Sequence, residues 1–316
     1  MRAFVTGGAG FIGSNLVERL LVEGHAVDVV DNLSTGSLAN LATARRDTDR
    51  ELSFQRLDIA SSDMTGIMAR RPPDVVYHLA ARRGAAASVD EPVLDAEANI
   101  VGSLRVLEGA RQAGARKVVF ATSGAAIYGE AGPAGLPVKE SAGHHPLSPH
   151  GVAKSSVAGY LSAYRELHDL EYTALALSSV YGPGQAPGVA GGVVATLAAD
   201  LITGRSGTIY GDGAQTRDFV YVDDVIDALA RAAGRGSGLT LNISTGVETS
   251  IRSLHAVVAA TVGVDVTATY APARAGEIGR SSLNPGRAAI HLGWTPWTTL
   301  DAGVAATVEW LRTARR

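Results

Sequence analysis

Three glycines and one aspartate near the start of the chain have the types and spacing to bind phosphate and ribose. Gly7, Gly10 and Gly13 stand in the run GGAGFIG, directly after the apolar run RAFVT and at the start of a helical pattern. Glycine there permits a tight turn and lets the backbone approach a pyrophosphate, whose charge is favoured by a helix N-terminus. Asp31 ends the next apolar run, where a carboxylate accepts hydrogen bonds from ribose hydroxyls. The sequence therefore predicts a dinucleotide site.

The neighbours of these residues indicate which dinucleotide is bound. A carboxylate at Asp31 repels a 2′-phosphate, and Asn32 rather than an arginine follows it. NAD is therefore favoured over NADP. Phe11 and Ile12 lie between the second and third glycines, and we expect them to line the same site.

The pattern of apolar runs predicts the fold that must position these residues. Strands are expected at Arg2–Thr6, Ala26–Val30, Ser53–Leu57, Val75–Leu79, Lys117–Thr122 and Tyr172–Leu177. Helices are expected at Gly13–Glu23, Ile100–Ala113 and Gly151–His168. Strands that alternate with helices predict an α/β fold with a Rossmann-type doubly wound parallel sheet.

The alternation of strand and helix patterns becomes less regular after about residue 178. Helices at Val193–Thr203 and Val222–Ala233 and a short strand in TIYG follow a glycine-rich loop. We therefore predict a dinucleotide-binding domain over residues 1–178. Residues 179–316 are expected to form a smaller C-terminal α/β substrate-binding portion, with some strands and helices returning to the first domain.

Composition excludes several classes of protein. The chain has 316 residues, a formal net charge of −3 and no cysteine. The chain carries no net positive charge that would attract nucleic acid or an anionic membrane, and without cysteine no Cys-based metal site can form. We expect no metal, no nucleic-acid partner and no membrane span, and the lack of a signal-peptide pattern favours a cytoplasmic location.

Further motifs are distributed along the whole chain. They are VVDNLSTG, HLAA (His78–Ala81), SGAAIYG (Ser123–Gly129), SPHGVAK (Ser148–Lys154), VYGP (Val180–Pro183), GDGAQTRDFVYVDD (Gly211–Asp224), RAGE (Arg274–Glu277) and LGW (Leu292–Trp294). Together with TGGAGFIGSNL they make the chain, from Met1 to about Trp310, resemble the extended short-chain dehydrogenase/reductases that act on nucleotide sugars. The resemblance is strongest to the UDP-hexose 4-epimerase group.

This resemblance implies NAD-dependent epimerisation at C4 of a UDP-sugar through a transient 4-keto intermediate. It implies cofactor contacts by Asp58 and Ile59 at the adenine, by Leu79, Ala80 and Ala81 along the middle, by Asn99 behind the site and by Lys154 at the nicotinamide ribose. It implies substrate contacts by Ser179, Val193, Arg217, Arg274 and Ser281. Guanidinium groups suit phosphate oxygens because they bind them bidentately. Family members commonly form homodimers through paired helices, for which Ile100–Ala113 and Gly151–His168 are the candidates.

The chain departs from the family at the catalytic base. The family carries a Tyr-x-x-x-Lys motif, whereas this chain has His150 with Lys154 in register. Three interpretations stay open. Either His150 is a working base that the nearby lysine keeps neutral, or the site binds its ligands with weak or no turnover, or the base lies elsewhere, at Tyr128.

Other departures concern the residues around the sugar. Where many relatives have a catalytic Ser or Thr, this chain has Gly124, so Thr122 or Ser123 is expected to supply the hydroxyl. Ser179 replaces a family asparagine. Ala125 and Ala126 stand where related 4,6-dehydratases have Asp-Glu, which disfavours dehydration and decarboxylation because the acid and base are missing.

The identity of the sugar stays open between three classes. Beside simple hexoses, a serine at Ser281 leaves room for an N-acetyl group where a relative has a bulky tyrosine. A uronic acid is the rival, since Arg82, Arg83 and Arg280 could surround its carboxylate.

Overall fold

Six apolar runs from the first 180 residues and one from the second half assemble into a parallel sheet. The computed structural model describes residues 1–46, 50–82, 84–132, 135–188, 191–274 and 278–313. The strands of the sheet are β1 (Arg2–Thr6), β2 (Ala26–Asp31), β3 (Leu52–Arg56), β4 (Val75–His78), β5 (Lys117–Ser123), β6 (Glu171–Leu177) and β11 (Leu239–Ile243). Within the described residues they lie in the order β11-β6-β5-β4-β1-β2-β3, and each neighbouring pair is parallel. This arrangement confirms the predicted doubly wound sheet.

Helices cover both faces of the sheet. They are α1 (Phe11–Val22), α2 (Ala42–Arg46), α3 (Met64–Arg70), α4 (Ala85–Asp90), α5 (Pro92–Ala96), α6 (Gly102–Gln112), α7 (Gly124–Tyr128), α8 (Pro149–His168), α9 (Val193–Ile202), α10 (Val222–Ala232), α11 (Ile251–Val262), α12 (Gly286–Leu292) and α13 (Leu300–Thr313). On one face α1 packs against α10, and on the other α3, α6 and α8 pack together. Burial on both faces explains why the strand sequences are almost entirely apolar.

The predicted elements agree with the structure to within about two residues at each end, and the helix expected at Ile100 shows where one such difference arises. It is preceded by a π-helical turn at Glu97–Val101, and the α-helix begins at Gly102. A π-turn inside a helical stretch is rare and frequently marks a functional site. Here it buries Asn99.

The second half of the chain adds short strand pairs and returns to the sheet. The short strands are β7 (Ser179–Tyr181), β8 (Thr208–Tyr210), β9 (Thr216–Arg217), β10 (Phe219–Tyr221), β12 (Thr249–Ser250) and β13 (Thr269–Ala271). The edge strand β11 and helix α10 both come from residues beyond 178 and pack on the first half. No helix in the described part of the chain is long and apolar enough to cross a membrane.

The strand order reverses between β1 and β4, which are neighbours although β2 and β3 lie between them in sequence. In open α/β sheets, ligands bind in the crevice beyond the carboxyl ends of the strands at such a point. The loops after β1, β2 and β4 therefore define where the site should be sought.

Candidate active site

The glycine loop after β1 leaves no room for a side chain at Gly7 or at Gly13. Gly7 has φ +70°, and a Cβ on it would lie 2.8 Å from the backbone nitrogen of Ala80. A Cβ on Gly13 would overlap the carbonyl oxygen of Gly7. Helix α1 begins at Phe11, within this glycine run, and no side chain caps its first turn. The N–H groups of this turn are consequently available to an anion.

Asp31 lies at the end of β2, beside the glycine loop. Its Oδ2 atom accepts a hydrogen bond from the N–H of Ala9 at 3.0 Å, and its Oδ1 accepts one from the N–H of Leu33 at 2.8 Å. Next to it, the amide of Asn32 donates to Oδ2 of Asp58 at 2.7 Å. Each carboxylate oxygen can accept more than one hydrogen bond, so Asp31 can still bind a diol.

A cavity of about 700 Å³ lies over the glycine loop. Its lining includes twelve of the residues predicted for the cofactor, namely Gly7, Gly10, Phe11, Ile12, Gly13, Asp31, Asn32, Asp58, Ile59, Leu79, Ala80 and Ala81. Asn99 and Lys154, also predicted, are not among the described residues that line it. The glycine-rich turn, the uncapped helix N-terminus and the carboxylate at the cavity wall fit a dinucleotide.

A second cavity of about 470 Å³ adjoins the first. It is lined by four residues predicted for the substrate, namely Ser179, Val193, Arg217 and Arg274. The guanidinium carbon of Arg274 lies 3.8 Å from the ring centroid of Tyr210, so the ring holds the arginine side chain in place. Gln185, Gly191 and Gly192 line both cavities.

The position predicted to gate the sugar is not found in this cavity. Ser281 is not among the described residues that line either cavity. It was placed by counting from Arg274 across residues 275–277, which lie outside the described residues and include the rest of the RAGE motif. The structure therefore does not place Ser281 in the lining of the cavity that contains Arg217 and Arg274.

Two of the three arginines proposed for a uronic acid already have carboxylate partners. Arg280 donates to Glu248, with its Nε atom 3.0 Å from Oε1, and Arg82 pairs with Glu91. Arg83 lies outside the described residues. Since two of the three guanidinium groups are engaged within the protein, their charges are not available to a sugar carboxylate without breaking these pairs.

His150 and Lys154 lie in the first two turns of α8, and both are buried. The helix starts at Pro149, where the hydroxyl of Ser148 accepts a hydrogen bond from the N–H of Gly151. The ammonium group of Lys154 lies 3.4 Å from the carbonyl oxygen of Ala121 and 4.8 Å from the ring centroid of Phe120. The side chain of His150 is 11% exposed to solvent.

The buried setting favours the neutral forms of both groups. Burial lowers the pKa of Lys154 to about 8. Burial, together with the positive charge of Lys154, lowers the pKa of His150, although Asp95 opposes this effect. A neutral imidazole at pH 7 is the state that can accept a proton.

His150 contacts two residues from the segment before α6. Its Nδ1 atom lies 3.3 Å from Nδ2 of Asn99 and 3.5 Å from Oδ1 of Asp95. Asn99, predicted to lie behind the site, also binds the backbone of Arg82 through both its amide atoms. Asp95 was not predicted, although its position four residues before Asn99 puts the two on one helical face.

The two hydroxyls considered for catalysis differ in their surroundings. Oγ of Ser123 accepts a weak hydrogen bond from the N–H of Ala126, and its own O–H stays available. Oγ1 of Thr122 is buried with no partner among the described residues. Alternate residues of a strand share a face, so Ser123 lies on the face of Ala121, which lines the first cavity. Ser123 is therefore the better-placed hydroxyl.

Tyr128 does not have the surroundings of a catalytic base. Its hydroxyl donates a hydrogen bond to Oδ1 of Asn242 at 2.9 Å. The ring packs among Ile127, Val138 and Leu283, and burial raises its pKa. This hydrogen bond and packing argue against the interpretation that places the base at Tyr128, because burial disfavours the phenolate.

Gln185 is a second polar residue that the sequence analysis missed. Its Nε2 donates to the carbonyl of Val180 at 2.9 Å, while its Oε1 is buried with no partner among the described residues. A buried acceptor without a partner is costly, and this one belongs to a residue that lines both cavities. No local pattern points to it, because Gln185 stands in a loop rich in glycine and proline.

Comparisons with known proteins agree with this geometry. A model of the NAD dependent epimerase/dehydratase family matches residues 3–244. A UDP-glucose 4-epimerase of Mycolicibacterium smegmatis is 45% identical over 313 residues, which cover 99% of each chain. The crystal structure of a Thermotoga maritima UDP-glucose 4-epimerase with UDP-glucose has a TM-score of 0.95 and 39% identity and covers 100% of both chains. The UDP-glucose 4-epimerase of Thermus thermophilus, in complex with NAD, has a TM-score of 0.92 and 38% identity, covering 99% of this chain and 100% of that one.

Proposed function

The chain belongs to the NAD dependent epimerase/dehydratase family, and we propose that it is an NAD-dependent epimerase that inverts C4 of a UDP-hexose. The observation that carries this proposal is the junction of the two cavities. The cavity with the glycine loop and Asp31 shares Gln185, Gly191 and Gly192 with the cavity that contains Arg217 and Arg274. A sugar whose diphosphate lies at the two arginines can therefore reach the cofactor.

NAD, when bound, takes a hydride from C4 of the sugar and returns it to the opposite face. The protein must then move one proton. In this proposal the imidazole of His150 accepts the proton of the 4-hydroxyl as the C4–O bond becomes a carbonyl, and it returns the proton when the alcohol reforms. General-base catalysis of this kind contributes about a hundredfold or more to a rate.

Lys154 and Ser123 assist in different ways. The ammonium group of Lys154 disfavours a proton on His150 before the reaction, which keeps the base ready. The hydroxyl of Ser123 can donate a hydrogen bond to the sugar 4-oxygen, since it makes no donation within the described residues. The side chains of Ala125 and Ala126 offer no acid or base for the elimination of water, so the reaction ends at epimerisation.

The function is tested on the protein as purified, without added NAD. Incubation with UDP-glucose, followed by NMR of the sugar, should show UDP-galactose accumulating until both sugars coexist. His150→Gln should remove this activity, whereas His168→Gln, an exposed change on the same helix, should not. Net formation of NADH would identify a dehydrogenase instead. Bound nucleotide sugar without interconversion would identify a binding protein.

The exposed apolar residues on α4–α6 and α8 support a homodimer. Val89, Val93, Val101 and Val152 are between 43% and 68% exposed. They lie on helices that pack side by side, and two copies of this surface would bury them. Light scattering should give twice the chain mass, and Val93→Glu should reduce it to one chain mass because a charge would then be buried.

A further inference from the structure

The side-chain amide of Asn99 fixes the hydrogen positions around His150. Oδ1 of Asn99 accepts from the N–H of Arg82 at 2.9 Å, and Nδ2 donates to the carbonyl of Arg82 at 3.0 Å. Because a backbone N–H can only donate and a carbonyl can only accept, these two contacts determine which amide atom is nitrogen.

Both hydrogens of that nitrogen are then in use. One is donated to the carbonyl of Arg82, and the other to Oδ1 of Asp95 at 2.9 Å. An amide nitrogen has two hydrogens and no lone pair to accept with. The 3.3 Å contact between Nδ2 of Asn99 and Nδ1 of His150 is therefore a close approach rather than a third hydrogen bond.

The atom that remains near Nδ1 of His150 is an acceptor. Oδ1 of Asp95 lies 3.5 Å away. A neutral imidazole carries its hydrogen on one nitrogen and a lone pair on the other. The carboxylate acceptor at Nδ1 favours the hydrogen there, which leaves the lone pair on Nε2.

Nothing in the described part of the chain hydrogen-bonds to Nε2 of His150. Asp95, which faces the other ring nitrogen, is almost fully buried, at 1% exposure. Its second oxygen, Oδ2, is buried with no partner among the described residues. A buried carboxylate so placed is expensive for stability, and its closest titratable neighbour is His150. Such an arrangement is typical of a carboxylate that orients a catalytic histidine.

We propose that Asp95 is a positioning residue that holds His150 in its Nδ1–H form, so that Nε2 is the atom that removes the proton from the sugar hydroxyl. This inference rests on the proposed epimerase function. During the reaction the O–H bond of the sugar breaks and an N–H bond forms at Nε2. The imidazolium that results lies beside the Asp95 anion until it returns the proton.

The charged groups that act on His150 come from two helices. Lys154 on α8 disfavours the imidazolium, and Asp95 on α5 favours it. The facing residues of α4 and of the π-turn are Ser88 and Asn99, which carry no charge. His78, at the end of β4, stays neutral because burial lowers its pKa to about 3. Removing the charge of Asp95 should therefore lower the pKa of His150 further.

The first test is independent of turnover. In the ¹⁵N NMR spectrum of the NAD-loaded protein, the His150 signal is assigned by its loss in His150→Gln. At pH 7.5 it should show a protonated Nδ1 and an unprotonated Nε2. A predominant Nε2–H form in the unsubstituted protein would overturn the inference, whether or not the protein epimerises UDP-glucose.

The second test compares Asp95→Asn with Glu97→Gln, which removes an exposed negative charge from the adjoining turn. Asp95→Asn should reduce kcat about a hundredfold while KM for UDP-glucose changes about threefold at most. The acid limb of its kcat/KM profile should move to lower pH, and Glu97→Gln should leave both quantities unchanged. An unchanged kcat and acid limb in Asp95→Asn would contradict the inference and leave the epimerase function standing.

Discussion

The Oδ2 atom of Asp31 accepts a hydrogen bond from the backbone N–H of Ala9, which joins the carboxyl end of β2 to the glycine loop between β1 and α1. The same carboxylate is buried, at 8% exposure. Its position is therefore fixed before any ligand binds, and a ribose would meet an acceptor that needs no rearrangement.

Loss of this carboxylate should change the choice of cofactor. Asp31→Ala removes both the hydrogen bonds to a ribose diol and the repulsion of a 2′-phosphate. We expect the preference for NAD over NADP to narrow by at least about tenfold, which corresponds to about 1.4 kcal/mol. Titration of the NAD-free protein with each dinucleotide measures the two affinities. Asp28→Asn, on the same strand but paired with Arg2 and Arg71, should leave their ratio unchanged.

A phenol at position 150 distinguishes a native base from a weakened site. His150→Tyr restores the family residue but removes the ring nitrogen that faces Asp95. Because the carboxylate would then lose this partner, we expect turnover of UDP-glucose at pH 7 to 8 to stay the same or fall. A rise of about tenfold or more would mean that the histidine impairs the site, and it would contradict the role proposed for His150.

The fold and the dinucleotide cavity were predictable because their signals are local. Apolar runs, turn glycines and the acidic residue at the end of β2 are each recognised from a few neighbouring residues, and the structure places Gly7 and Asp31 at one cavity as expected. The sequence also singled out His150 and Lys154, through the resemblance of SPHGVAK to the family's Tyr-x-x-x-Lys motif.

The surroundings of His150 were not predictable in the same way. Asn99 and His150 are 51 positions apart. Their contact depends on a π-turn, which the helical period of the apolar residues does not predict. The expected gate at Ser281 depended on counting along a loop, which carries no information about which side chains reach the sugar. The contacts of His150 and the set of side chains that reach the sugar both depend on packing between segments distant in sequence.

Lys154 should be a source of instability in the NAD-free protein. Its pKa is lowered by burial to about 8 from 10.5, so the folded state disfavours the ammonium group. Well below pH 8, Lys154 is protonated in both the folded and the unfolded chain. The full free-energy cost of burying its ammonium group is therefore present at pH 7. We expect Lys154→Met to raise the free energy of unfolding by about 3 kcal/mol at that pH and to abolish turnover.

Chemical denaturation at several pH values checks this prediction. Between pH 8 and 10.5 the folded parent loses its proton while the unfolded chain keeps it, so the parent gains stability relative to the variant. The difference between the two proteins should therefore shrink as the pH rises through this window. Lys139→Met, an exposed change, should alter stability little. A Lys154→Met protein less stable than its parent at pH 7 would contradict the prediction.

Gly124 stands where many relatives carry a catalytic hydroxyl, and the structure gives a steric reason for the glycine. A Cβ at this position would overlap Cδ1 of Leu283 and lie 2.9 Å from its Cδ2. The backbone of Leu283 is held by hydrogen bonds to Asp218 and Ser244, so the leucine side chain must move rather than its main chain. Leu283 is almost completely buried.

Gly124→Ser should therefore reduce the free energy of unfolding by about 1–3 kcal/mol, the usual cost of overfilling a packed core. Leu283→Ala alone should cost about 2–5 kcal/mol because it leaves a cavity. In the double variant the serine occupies part of that cavity, so the combined loss should be smaller than the sum of the two. Denaturant unfolding of the four proteins measures this coupling, and strictly additive losses would show that Leu283 does not exclude a side chain at Gly124. Because the hydroxyl of Ser123 is already available, Gly124→Ser should leave kcat for UDP-glucose no higher than in the unsubstituted protein.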